Sequence, residues 1–234
     1  MKKLIFVLTL GLVLGIAGLA QATLITYIGS SPAGELNMYQ IYNALYTPSI
    51  PLLSNEELKP LENDTAIGVG LFSQTAGKVY WVARYAGYAH QLSTYDSANH
   101  LMGSDPIGTP PGSNWLDTSR SYVYSIPSAT ASIFGFNVYV PDTGQTWYTQ
   151  KSLNNPADNG YHFLVLNTPI PGRLLVGVED MNFNLPLGPW PNTDRDHNDV
   201  VFEFDGISPV PEPTSMMLLG MGILGLFGLK RKRA

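Results

Sequence analysis

The sequence lacks cysteine altogether in its 234 residues. Disulfide scaffolds, thiolate zinc sites, iron–sulfur clusters and cysteine nucleophiles are therefore excluded. Charged residues are also scarce, at 13% of the chain. Any chemistry that the protein performs must use oxygen and imidazole groups.

Basic residues are nearly absent from the middle of the chain. Residues 23–210 contain 7 basic and 17 acidic residues, which gives this segment a formal charge of −10. Contacts to phosphates need clustered Lys and Arg, so the composition argues against a nucleic-acid partner. A segment of this length is large enough for one well-buried core, and we expect a single domain.

The amino terminus has the three zones of a secretory signal peptide. Two lysines precede an uncharged apolar run at residues 4–20, and Ala20 and Ala22 form a small-residue cleavage site. We predict that residues 1–22 form a signal-peptide helix that directs export by the Sec machinery and is removed by signal peptidase. An uncleaved membrane anchor is the alternative, because the apolar run is nearly long enough to span a bilayer.

The carboxyl terminus, residues 209–234, has three parts. Pro211, Glu212 and Pro213 precede an uncharged apolar segment at residues 214–229. The last part is a basic tail of four residues, Lys230, Arg231, Lys232 and Arg233. The apolar segment would span about 24 Å as a helix, so we expect a transmembrane helix whose flanking basic side chains reach the headgroups. Because basic ends stay in the cytoplasm, the acidic middle must lie outside the inner membrane.

This tripartite tail resembles the PEP-CTERM segment, a bacterial sorting signal read by exosortase. The resemblance implies a Gram-negative exported protein that is first anchored in the inner membrane and then processed near residues 211–213. It also implies a final location in the cell envelope, on the outer surface or outside the cell, with exopolysaccharide as a partner. A plain single-span tail anchor is the alternative.

The middle of the chain alternates short apolar runs with clusters of Gly, Pro, Asn and Asp. Ten runs have the length and composition of β-strands; they lie at residues 24–28, 66–72, 78–85, 89–95, 122–126, 132–140, 146–150, 161–167, 173–179 and 200–204. They predict an all-β fold, a single β-sandwich or jelly-roll-like domain at residues 23–208. One or two short helices are expected near its start, and the apolar spacing predicts one at residues 36–46.

Acidic and amide side chains form the candidate site. They lie in a loop directly before the last predicted strand and at the end of the preceding one. The six residues are Glu179, Asp180, Asp194, Asp196, Asn198 and Asp199. Closely spaced carboxylates repel, and Asp at i and i+2 with Asn at i+4 is how a loop turns oxygen ligands toward calcium. The sequence predicts a calcium site here; an Asx-rich turn and a catalytic site are the alternatives.

A second resemblance covers residues 131–205. Residues 176–181 and 194–202 look like the Glu-Asp and Asp-x-Asp-x-Asn-Asp signature of the bacterial family called domain of unknown function 4114. Residues 134–139 and 160–163 are similar to the strands that precede this signature. The resemblance implies an extracellular or surface protein whose acidic residues bind a metal or, as the second alternative, take part in catalysis. His197 departs from the pattern, which often has an aromatic residue at that position.

The sequence contains no GxSxG, HExxH or phosphate-loop motif. We therefore expect a non-enzymatic protein with a structural or adhesive role associated with exopolysaccharide. A carbohydrate-binding module is one alternative, because aromatic residues could stack on sugars; the candidates are Trp81, Tyr85, Tyr88, Trp115, Trp147, Tyr148 and Trp190. A carboxylate-dependent hydrolase is another, although it needs two carboxylates that face one cleft.

Overall fold

The computed structural model describes most of the acidic middle of the chain. The described residues are 34–47, 61–63, 66–67, 70–96, 114–126, 133–158, 160–183 and 194–210. The predicted signal peptide, the predicted strand at 24–28 and the tail from Pro211 onward lie outside them. Within the described ranges, no helix has the length and apolar character needed to cross a membrane.

The structure gives bounds for one α-helix, nine strands and a short 3₁₀ turn. They are α1 (Met38–Tyr46), β1 (Phe72–Arg84), β2 (Gln91–Asp96), β3 (Trp115–Leu116), β4 (Tyr122–Ser125), β5 (Ile133–Val140), β6 (Gln145–Tyr148), the 3₁₀ turn (Lys151–Leu153), β7 (Phe163–Asn167), β8 (Arg173–Val178) and β9 (Val200–Pro209). The prediction of a β fold with a short helix near its start is confirmed.

All nine strands belong to one antiparallel sheet. Its order is β2-β5-β1-β9-β8-β7, while β3 and β4 pair with β1 and β6 pairs with β5. The long strands β1 and β9 lie at its centre, with Trp81 opposite Phe202. The predicted sandwich requires two stacked sheets. The described strands form one hydrogen-bonded sheet, so the sandwich arrangement stays a prediction.

Aromatic side chains fill the core beside the central strands. The ring of Phe136 on β5 stacks on Phe204 of β9 with centroids 4.1 Å apart, and Trp81 meets Phe202 edge-on at 4.5 Å. None of these four side chains is more than 1% exposed. Burying a Phe side chain stabilises a fold by about 1.5–3 kcal/mol, so β9 and the loop before it rest on a firmly packed base.

Helix α1 begins with a reciprocal cap. The backbone N–H of Gln40 donates to Asn37 Oδ1 at 3.0 Å, and the N–H of Asn37 donates to Gln40 Oε1 at 2.8 Å. This capping box satisfies two N–H groups that the first turn would otherwise leave unpaired. Met38, the first residue of α1, packs against Gly177 of β8, where an added Cβ would lie 2.7 Å from its Sδ. The helix predicted at residues 36–46 is thus confirmed, and it covers the sheet next to the candidate site.

A buried ion-pair cluster holds the far end of α1. Glu203 of β9 is fully buried and accepts hydrogen bonds from Arg120 Nε at 2.9 Å and Arg173 Nη1 at 2.6 Å. The hydroxyl of Tyr46, at the end of α1, also donates to Glu203. Burial opposes ionisation of this carboxyl, but the hydrogen bonds from Arg120 and Tyr46 outweigh it and lower the pKa of Glu203. The cluster therefore fixes α1 on the sheet through charge-assisted hydrogen bonds.

The predicted strand at residues 66–72 is wrong in its first part. Ala66 and Ile67 are helical, and β1 begins only at Phe72. The side chain of Asn63 accepts the N–H of Ala66 at 3.0 Å, and its carbonyl accepts the N–H of Ile67 at 2.9 Å. An Asn side chain that bonds the backbone ahead of it starts a helical turn and overrides the apolar pattern.

Candidate metal centre

Three carboxylates converge at one end of the central strands. Glu179, Asp194 and Asp196 each offer one oxygen, and these oxygens all lie within 4.8 Å of one another. Glu179 and Asp196 are buried, whereas Asp194 is exposed. Calcium binds oxygens at about 2.3–2.6 Å, so ligands on opposite sides of one ion are about 5 Å apart. The spacing therefore suits a single cation, and all three residues belong to the predicted set.

The loop before β9 brings Asp194 and Asp196 together through unusual backbone angles. Arg195 has a φ of 61° and His197 has a φ of 55°. This is a left-handed backbone conformation that residues other than glycine rarely adopt. The N–H of Asn198 donates to Asp196 Oδ1 at 3.2 Å, which forms an Asx turn. Such strained positions persist only where the surrounding structure holds them in place.

Hydrogen bonds from backbone and side-chain groups connect this loop to segments that are distant in sequence. The N–H of Met38 donates to the carbonyl of Asp196 at 3.1 Å, and Asn198 Nδ2 donates to the carbonyl of Leu36 at 2.8 Å. The N–H of Tyr85, just after β1, donates to the carbonyl of Asn198 at 3.1 Å. The start of α1, the end of β1 and the start of β9 therefore meet at the carboxylates.

His197 fixes the middle of the loop as a neutral side chain. It is 1% exposed, and its Nε2 lies 2.9 Å from the carbonyl oxygen of Tyr161. A carbonyl can only accept, so Nε2 carries the proton. Burial lowers the pKa of His197 to about 4. Its own carbonyl lies so close to Gly177 that a Cβ there would overlap it, which explains the glycine at that position in β8.

A stacked histidine and tryptophan hold the opposite wall. His162 Nδ1 donates to the carbonyl of Glu179 at 2.7 Å, and its Nε2 lies 2.7 Å from Asp158 Oδ2. The indole of Trp147 stacks on His162 with ring centroids 3.7 Å apart and donates to the carbonyl of Asp180 at 2.7 Å. His162, which is buried, thus serves as a hydrogen-bonded structural residue.

The other three predicted ligands make hydrogen bonds around the triad. Asp180 Oδ2 lies 2.7 Å from His90 Nε2, and both residues are buried. Asp199 Oδ2 accepts the N–H of Asp180 at 2.6 Å. Asn198 holds the segment before α1, as described above. Direct coordination by Asp180, Asn198 and Asp199 therefore stays a prediction.

The electrostatics of the cluster favour a cation. Burial raises the pKa of Asp199 well above its usual range, and the charges of Asp180 and Glu179 raise it further. Partial desolvation of its carboxyl and the charge of Asp180 likewise raise the pKa of Asp194, against the opposing hydrogen bonds. Each ionised carboxylate thus makes its neighbours harder to ionise, and a bound cation would relieve this repulsion.

Three residues near the site carry no signal in the sequence. Burial and the charge of Asp194 raise the pKa of Glu35, a further carboxylate that interacts with this group of acids. Arg84 is buried at the end of β1, and the charges of Asp180 and Asp199 act on it. His90 contacts Asp180, as described above. All three come from parts of the chain remote from the acidic loop, where no motif or spacing points to them.

In the sequence, β9 is followed by the proline-rich, apolar and basic tail. Residues 209–233 match the PEP-CTERM protein-sorting motif. The motif implies export and processing by exosortase, so the sorting prediction is confirmed. The search of curated proteins finds no significant match. The comparisons add no support for the resemblance of residues 131–205 to domain of unknown function 4114, which stays a prediction.

Proposed function

We propose that this exosortase-sorted protein is a non-enzymatic component of the cell envelope or extracellular matrix, with a β domain stabilised by one calcium ion. Glu179, Asp194 and Asp196 hold the ion, and Asp180, Asn198 and Asp199 complete or support its shell. The observation that carries the proposal is the convergence of three carboxylate oxygens within 4.8 Å of one another. The role is structural or adhesive, in a matrix that contains exopolysaccharide.

The donor set favours calcium over other common ions. Zinc prefers thiolate and imidazole ligands, whereas the converging donors are all carboxylates. Magnesium demands near-ideal octahedral geometry and keeps several waters, while calcium tolerates irregular shells of protein oxygens. Extracellular modules bind calcium with dissociation constants of about 10⁻⁴ to 10⁻³ M, a range suited to an exported protein.

A bound ion would act as a cross-link in a domain that has no disulfide. The loop that carries Asp194 and Asp196 bonds to Met38 at the start of α1 and to Tyr85 after β1. An ion that joins this loop to Glu179 therefore fastens four segments of the chain at one point. Binding to the folded state alone stabilises it by mass action.

Thermal unfolding with calcium and with a chelator tests this proposal. We expect millimolar calcium to raise the melting temperature of the wild-type protein and to leave an Asp194→Ala/Asp196→Ala variant unchanged. Asp117→Ala is the control, because its carboxylate accepts from Ser119 and Ser121 in another loop. The proposal fails if calcium shifts neither protein, or shifts the double variant as much as the wild type.

Carbohydrate binding at the same site is a second candidate, because tyrosines stand beside the acids. Tyr85 and Tyr88 are partly buried; burial raises both pKa values, and the charges of Glu35 and Asp180 raise those of Tyr85 and Tyr88 respectively. An aromatic ring next to a cation site suits a sugar, which presents an apolar face and hydroxyl groups. Two of the tryptophans suggested by the sequence do not serve this role: Trp81 and Trp147 are buried in the core.

Retention on an exopolysaccharide column tests the second candidate. We expect calcium-dependent retention that Tyr88→Ala reduces. Tyr122→Ala is the matched control, since this side chain is exposed on β4. Equal retention of both variants, or retention that a chelator does not change, would contradict a sugar site at the carboxylates.

A further inference from the structure

The sorting motif begins inside the folded sheet. Pro209, the first residue of the matched motif, is the last residue of β9 and lies opposite Phe72 of β1. The N–H of the next residue, Val210, donates to the carbonyl of Leu71 at 2.9 Å. The fold and the processing signal therefore share residues.

Little chain separates the sheet from the apolar part of the tail. Only Pro211, Glu212 and Pro213 lie between Val210 and the apolar segment that begins at Thr214. Three residues span at most about 10 Å when fully extended.

An enzyme that binds an extended chain forms backbone hydrogen bonds along it, and prolines offer no N–H donor. Residues 209, 211 and 213 are prolines, so within residues 209–213 only Val210 and Glu212 have a backbone N–H. The N–H of Val210 is already hydrogen-bonded to the sheet.

The end of β9 pairs with fewer strands than the rest of β9 does. The pairing of β9 with β8 stops at Asp205, opposite Arg173. Beyond Gly206, which has a φ of 77°, the strand pairs with β1 alone, and an irregularity between Gln74 and Lys78 separates these pairs from the rest of the ladder. Residues 207–210 thus form a short unit that can detach at Gly206 while the rest of the sheet stays intact.

We propose that residues 207–210 must leave the sheet before the processing enzyme can engage the sorting motif, so that the fold itself limits the rate of processing. An enzyme bound at the spacer, residues 211–213, has the membrane on one side. On the other side it has the paired strands β1 and β9. It therefore acts on the detached form, and the rate follows the population of that form. This inference depends on the sorting motif alone and not on the calcium site.

A cross-strand disulfide tests the proposal in the full chain. Ser73 and Ser208 lie directly opposite each other in the ladder, and paired antiparallel residues fall within the Cα spacing of a disulfide. The chain has no native cysteine, so only the introduced pair Ser73→Cys/Ser208→Cys can bond within it. The control is Lys78→Cys/Ser125→Cys, a directly opposed pair that ties β1 to β4 and leaves the end of β9 free.

Processing is measured in cells with the cognate exosortase, as the fraction of exported chain that loses its tail. We expect the oxidised Ser73/Ser208 variant to be processed at least about tenfold more slowly than the wild type. Reduction should restore the rate, and the control should match the wild type. Wild-type processing of the clamped chain, or failure of reduction to restore the rate, would overturn the proposal.

Discussion

Replacing Asp196 with asparagine separates the charge of the candidate site from its shape. Asn keeps the side-chain oxygen that accepts the N–H of Asn198 at 3.2 Å, so the turn is preserved. It removes one negative charge from a group of carboxylate oxygens that lie within 4.8 Å of one another. The change should therefore stabilise the calcium-free protein and reduce the stabilisation that calcium provides.

The magnitudes follow from the geometry. Two unit charges 4.8 Å apart repel by about 3.5 kcal/mol at an effective dielectric of about 20. Solvent screens exposed Asp194, so we expect Asp196→Asn to stabilise the calcium-free protein by about 1–3 kcal/mol. At a calcium concentration of about 100 times the dissociation constant, the wild type gains about 2.7 kcal/mol. For a domain of this size, each kcal/mol moves the melting temperature by about 2–4 °C.

Melting curves of both proteins in a chelator and in calcium provide the assay. We expect Asp196→Asn to melt above the wild type in the chelator, and we expect calcium to raise its melting temperature by less than it raises that of the wild type. If the loop is only an Asx-rich turn, Asn serves it as well as Asp, and calcium will shift neither protein. Equal calcium shifts in the two proteins would therefore refute the reasoning.

Three further predictions test the surroundings of the site. Gly177→Ala should lower the free energy of unfolding, measured in urea, by about 1–3 kcal/mol, because the added Cβ would overlap the His197 carbonyl. Gly87→Ala is the control and should leave the free energy of unfolding unchanged, because the space around Gly87 is open. His197 should contribute a loss of stability as the pH falls from about 6.5 toward 4, because its unfolded ring takes up a proton that the buried ring refuses. His197→Gln should flatten that part of the profile. Glu203→Gln should cost about 3 kcal/mol in urea unfolding, because two partly buried arginines lose their carboxylate.

Local patterns predicted the elements whose buried positions repeat within a short stretch of sequence. The alternation around Trp81 marked β1, and the spacing of Met38, Ile41 and Leu45 marked α1. The pattern failed at Ala66, where the Asn63 side chain starts a helical turn. Apolar periodicity reports which faces are buried, but it does not detect a cap that acts over three residues.

The acidic loop was predicted for a similar reason, since its carboxylates are close in sequence. Which of them converge depends on the left-handed angles at Arg195 and His197, and a sequence pattern does not encode those angles. The partners Glu35 and His90 come from segments far along the chain. Only the folding of β1, β8 and β9 into one sheet brings such residues to the site.

Direct titration of the exported protein with calcium tests the central claim. The account predicts that one ion binds per wild-type chain and that Asp196→Asn weakens binding by at least about tenfold, which corresponds to about 1.4 kcal/mol. No binding at millimolar calcium, or equal binding by the wild type and the variant, would contradict it.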